Sequence, residues 1–250
     1  LQYTHPEGVT SISDAAIEML LDGEIDFAQL SRPLRKSEYE EAEQKGFTLK
    51  QRQVATDGVA VAVNPELEVS GLTVEQLQQI YLGKITNWKQ LGGSELSIKL
   101  FAENSEYVEL ALFDSKKLDE QKLSGNVESV YSPTEALRQV SQNKGVLYFG
   151  SARAIVPQCT VKPLALGNSL DDLVSPYIGE LVEPSQCPQK RNRVNIKAIE
   201  NGSYPLKSKL FVVTKENNGR EEQIGDAYTE LLLTSAGQQE IEKAGFGYIK

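Results

Sequence analysis

With 35 acidic side chains against 26 basic ones, a 250-residue chain of net charge −9 has no bulk attraction for nucleic acid or for an anionic membrane. Its length suffices for a full core, in one domain or two modest ones. No apolar run approaches the roughly 18 residues of a membrane-spanning helix. An anionic solute would therefore need a local positive site on an otherwise acidic molecule.

Leu1–Thr4 reads as a short strand. Ser11–Leu21 reads as a helix, with Ser13 as its N-cap and Ile17, Leu20 and Leu21 as its apolar face. Asp22-Gly23 breaks it. Ile25–Leu30 is the next strand, followed by the loop Ser31–Leu34, and Ser37–Lys45 is a charged surface helix. Leu49–Val54 and Gly58–Val63 read as two strands. The second, GVAVAV, is apolar on both faces, as expected of a parallel strand covered on both sides.

In Gly71–Gly93, GLTVEQLQQIYLGKITNWKQLGG, the residues Val74, Leu77, Ile80 and Tyr81 fall on one helical face. Thr73 and Gln76 form a capping box, and Gly83 is the stop. Ser97–Ala102 is a strand, and Tyr107–Phe113 a helix with Leu110 and Phe113 inward. Val127–Val130 is a short strand. Thr134–Val140 is a helix with Ala136, Leu137 and Val140 inward, and Gly145–Phe149 is an apolar strand. Pro157–Leu206 is rich in loops. Leu210–Val213 is a strand, and Ile224–Leu233 and Ser235–Ala244 are closing helices. Strands alternating with helices argue an α/β protein with parallel sheets.

Chemistry is sparse. There is no Gly-rich phosphate loop ending in Lys-Ser/Thr, no G-x-S-x-G elbow and no H-E-x-x-H. A catalytic triad would need His5, the one histidine, beside Pro6, which is a poor place for a positioned base. Neither an enzyme nor a cofactor is expected. Cys159 and Cys187 are the only cysteines, too few for a structural zinc site with one histidine. They are either two buried thiols or a disulfide.

The words "LT-x-x-QL-x-x-IYLGKITNW" followed by Gly-Gly resemble a signature of the phosphate-type solute-binding proteins of ABC transporters. The likeness continues in order through DGEIDFAQLSRPL, TDGVAVAVNP, GVLYFGSA, YPLKSKLFVV and LLLTSAGQQEIEKAGF. It implies an α/β, two-lobed type II periplasmic-binding-protein fold, with parallel-dominated sheets flanked by helices and a ligand cleft between lobes. Residues 1–66 plus 206–250 would form one lobe and 67–205 the other. It implies capture of phosphate or a related oxyanion, an ABC transporter permease as partner, no nucleic acid, a monomer, and an extracytoplasmic location. An oxidising compartment would pair Cys159 with Cys187. The family also places a strand, a Gly-Ser-Thr turn and a helix before the strand at Leu1–Thr4.

The resemblance assigns three ligand loops. Ser13 falls on a serine in a turn that opens a helix, where a hydroxyl and backbone amides suit an anion. Here that turn lacks glycines and carries Asp14, so Ser13 reads equally as a plain cap. Ser31 falls on a short polar contact. Arg32 either supplies a bidentate fork to the oxyanion or pairs with a nearby carboxylate. In the third loop, Asn104 stands where the family has an arginine, followed by Ser105. Glu103, Glu106 and Glu109 add three carboxylates. One unfavourable charge at 4 Å costs about 4 kcal/mol at an effective dielectric of 20. Asp57 matches a family position near the cleft, or else is a turn residue holding backbone N–H groups. Ser151 and Thr134 face the same cleft or serve as caps. The altered third loop sustains an alternative: a diverged sensor or protein-interaction domain that no longer binds phosphate.

Overall fold

The computed structural model describes residues 12–102, 105–113, 123, 126–130 and 132–249, with the backbone alone at residues 12, 105 and 106. The strand expected at Leu1–Thr4, together with His5, Glu103 and Asn104, lies outside the described residues. The chain divides into two compact units, Leu1–Thr56 with Ser208–Lys250, and Asp57–Lys207.

In chain order the first elements are α1 (Ile12–Leu21), β1 (Phe27–Leu30), α2 (Lys36–Gln44), β2 (Thr48–Val63), β3 (Gly71–Thr73) and α3 (Val74–Tyr81). There follow β4 (Lys99–Ala102), α4 (Ser105–Leu112), β5 (Val127–Ser129), α5 (Pro133–Gln142), β6 (Val146–Ser151) and α6 (Ala152–Ile155). The last are β7 (Lys162–Pro163), β8 (Ala165–Gly167), α7 (Ile196–Asn201), β9 (Lys207–Glu216), α8 (Arg220–Leu233) and α9 (Ser235–Lys243). The protein is α/β.

In the first unit β1 runs antiparallel to β9, with Ala28 opposite Val213 and Leu30 opposite Phe211. The apolar face of α1 (Ile17, Leu20, Leu21) packs with Ala28, Leu30, Phe211 and Val213, and Ala42 of α2 joins them. Phe27 stacks on Tyr228 of α8 at 4.4 Å between ring centroids.

The second unit is built on two cores separated by a sheet. Side chains alternate across a strand, so Val59, Val61 and Val63 enter one core while Ala60 and Ala62 enter the other. Strand β6 repeats the division with Leu147 and Phe149 against Val146 and Tyr148. This explains the two-faced apolarity of GVAVAV, but not by parallel pairing. That stretch of β2 is antiparallel to both β6 and β7. A covered strand must be apolar on both sides whatever its direction. Parallel pairing is found in β4 with β6 and β5, and in β3 with β8.

Helix α3 has the ends its sequence predicts. Gln76 N–H donates to Thr73 Oγ1 at 3.0 Å and Thr73 N–H donates to Gln76 Oε1 at 2.9 Å. At the other end Gly83 (φ 72°) donates to Ile80 O at 3.0 Å and Lys84 N–H to Gln79 O at 2.9 Å. This is the Schellman pattern that requires a left-handed residue. Trp88 beyond it is fully buried and donates its indole N–H to Gly145 O at 3.1 Å.

Three local expectations are corrected. Leu49–Val54 and Gly58–Val63 are one strand, so Asp57 is not a turn residue. Gly58 is small there because a Cβ would fall 2.3 Å from Ile199 Cδ1. Leu110 is exposed, because Val108 and Leu112, four residues apart, already define the inward face of α4. Ser13 is the second residue of α1 and does not cap it.

Candidate functional site

In the first unit, the start of α1 and the loop after β1 meet in two adjacent pairings. The Ser13 and Ser31 hydroxyls lie 3.3 Å apart, and Ser31 N–H donates to Ser13 Oγ at 3.3 Å. One residue further along each segment, Arg32 Nη2 donates to Asp14 Oδ1. Ser13 and Arg32 are both buried.

Arg32 is engaged in two further directions. Nη1 donates to Glu38 Oε2 at 3.0 Å and to Pro33 O at 2.9 Å, and Nη2 donates to Glu38 Oε1 at 2.6 Å. Glu38 in the first turn of α2 also accepts from Arg35 N–H at 2.7 Å. Arg35 Nη2 reaches Asp14 Oδ1 at 3.1 Å. Burial alone would lower the Arg32 pKa. The hydrogen bonds to Glu38 and Asp14 outweigh it and hold the guanidinium above its ordinary value. Of the two roles open to Arg32 in the sequence, pairing with carboxylates is the one observed in this geometry. The sequence reading missed Glu38. Its signal was a glutamate in the first turn of a charged helix, six residues beyond an arginine.

In the second unit the parallel strands β4, β5 and β6 end on one edge, since Ala102 lies opposite both Ser129 and Phe149. Each strand there gives way to a helix. Ser105 opens α4, Ser132 caps α5 by accepting from Glu135 N–H at 3.3 Å, and Ser151 precedes α6. Val59 pairs with Ser151, so Asp57 lies two residues beyond it at the same edge. Asp57 is buried. Ser151 Oγ is buried and makes no hydrogen bond among the described residues. Thr134 lies inside the first turn of α5, and Ser132 takes the capping role. The carboxyl edge of parallel strands, facing helix N-termini, is where open α/β sheets bind small ligands.

Cys159 and Cys187 form a disulfide, with Cα atoms 6.1 Å apart. Among the described residues no group of histidine, cysteine and acidic side chains could hold a metal ion. No helix among them is long and apolar enough to cross a membrane.

A family model described as a PBP superfamily domain matches residues 4–235. The chain belongs to the PBP superfamily. It is 28% identical over 236 residues to the phosphate-binding protein PstS of Staphylococcus epidermidis, covering 93% of this chain and 66% of the relative. To PstS of Staphylococcus haemolyticus it is 28% identical over 250 residues, covering 97% and 72%. The chain thus spans about two thirds of these relatives.

Among solved structures, one assigned to the substrate-binding proteins of phosphate ABC transporters, from Clostridium perfringens with bound phosphate, superposes with a TM-score of 0.70. The identity is 22%, and 96% of this chain and 86% of that one are covered. An ABC-type phosphate transport receptor from Vibrio cholerae gives 0.63 at 23% identity, covering 95% and 85%. These likenesses establish the fold.

Proposed function

We propose that this chain is the solute-binding component of an ABC transporter and captures phosphate or a closely related oxyanion. The observation that carries this reading is the placement of Asp57, Ser132 and Ser151 at the carboxyl edge of β4, β5 and β6. That edge brings backbone donors and hydroxyls beside the Asp57 carboxylate, a set suited to a protonated oxyanion. The PstS relatives are named for phosphate binding, which supports the same ligand class. Each unit has candidate contacts of its own: the Ser13 and Ser31 hydroxyls in the first, and in the second, on the family likeness, Asn104 and Ser105.

The partner in this reading is a transporter permease, the location is extracytoplasmic, and the working form is a monomer. The Cys159–Cys187 disulfide supports an oxidising compartment. Isothermal titration of the full chain with inorganic phosphate tests the reading. Saturable heat with one equivalent of ligand is expected. No heat at millimolar phosphate ends it and leaves the fold as a scaffold for sensing or docking.

A further inference from the structure

We infer that Arg32 is a positioning residue that acts through Glu38 and Asp14, and does not contact the solute. The inference rests on the reading that the Ser13–Ser31 pair faces the oxyanion.

Three observations carry it. First, among the described residues the two terminal nitrogens of Arg32 make four hydrogen bonds, to Glu38, Pro33 and Asp14. The bidentate carboxylate of Glu38 fills the two-pronged geometry an oxyanion would need. Second, Asp14 follows Ser13 on α1, and Arg32 follows Ser31 in the loop after β1. The ion pair and the hydroxyl pair are therefore adjacent rungs between the same two segments, each joining residues eighteen apart in sequence. Fixing one rung fixes the spacing of the other. Third, among the described residues Arg32 and Arg35 face Asp14 and Glu38, so these four side chains are together formally neutral. These four bring no net positive charge to the ligand, and what they contribute is geometry.

The two roles for Arg32 predict opposite signs for one substitution. If Arg32 served the anion directly, Glu38→Gln would remove a competing carboxylate, release the fork and tighten phosphate binding. If Arg32 is held by Glu38 in order to hold the hydroxyl pair, Glu38→Gln weakens binding.

Titration of the full chain with inorganic phosphate is combined with amide hydrogen exchange at Ser31, whose N–H donates to Ser13 Oγ. For Glu38→Gln the expected result is affinity weaker by about tenfold or more, since small misplacements cost that much. Exchange at Ser31 becomes faster by a similar factor, while the β1 amides paired with β9 keep their protection. Arg32→Lys, which keeps the charge and loses the fork, gives both effects and serves if Glu38→Gln does not fold. Unchanged or tighter phosphate binding in Glu38→Gln overturns the inference, as does unchanged Ser31 exchange in either variant. Absence of phosphate heat in the unsubstituted chain ends the oxyanion reading instead, and Ser31 exchange alone then decides whether Arg32 holds the pair.

Discussion

Tyr204 donates its hydroxyl to the backbone carbonyl of Val59 at 2.9 Å, tying the approach to β9 onto strand β2 across 145 residues of sequence. Both residues are fully buried. The fully buried Tyr81 hydroxyl, by contrast, has no hydrogen-bond partner among the described residues. The same substitution should act differently at the two sites. Tyr204→Phe leaves a buried carbonyl without its donor and should cost about 1–2 kcal/mol. Tyr81→Phe removes an unsatisfied hydroxyl and should be neutral or stabilising by about 1 kcal/mol. Urea denaturation of the two variants checks the contrast, and equal losses would refute it.

Reduction of Cys159–Cys187 should destabilise the second unit. The bridge joins residues 28 apart. A closed loop of that size restricts the unfolded chain by about 3–4 kcal/mol on the chain-entropy model. The midpoint of urea unfolding should fall with added reductant, and Cys159→Ser/Cys187→Ser should reproduce the shift while becoming insensitive to reductant.

Trp88, the single tryptophan of the chain, is a built-in reporter. Because its side chain is buried and bonded to Gly145 O, emission should be blue-shifted in the native state and move red on unfolding. Trp88→Phe should cost about 1–3 kcal/mol through the lost hydrogen bond and lost ring area. Native emission resembling that of free tryptophan in water would contradict this packing.

Lys162 gives a prediction in pH. Its Nζ donates to Leu67 O, and burial pushes its pKa below the ordinary 10.5. Below the folded-state pKa the lysine is charged in both states, and the folded protein bears the desolvation cost. As pH rises from the folded value toward 10.5, the folded state releases the proton first, so the unfolded state binds more protons and stability rises. Lys162→Met should abolish that part of the alkaline slope. The comparison is between denaturation midpoints of the two proteins from pH 8 to 10.5, and parallel curves would count against it.

How much could be read in the amino acids follows the range of the interactions. The ends of α3 were legible because Thr73, Gln76 and Gly83 act within one turn of their own helix. The apolar faces of α1 and α5 were legible for the same reason of period. Asp57-Gly58 misled because that dipeptide ordinarily marks a turn. The cause of Gly58 is instead a side chain 141 positions away, which no local pattern encodes. The engagement of Arg32 was beyond reach too. Many carboxylates stood nearby in the sequence, and only the packing of α1 and α2 selects Asp14 and Glu38. Ser13 and Ser31 were singled out separately through the family likeness. Their contact is a product of the fold.

The alternation of valine and alanine along Val59–Val63 carries a consequence for fidelity. Tyr148 lies on the alanine side, opposite Ala62, and so close over Gly150 that a Cβ there would sit 2.5 Å from its hydroxyl. A slip of one residue would drive branched side chains under that ring and leave methyl groups to fill the opposite compartment. Misaligned assembly would thus be both overcrowded and hollow, and the tyrosine acts as a gauge that only one threading of the strand can pass.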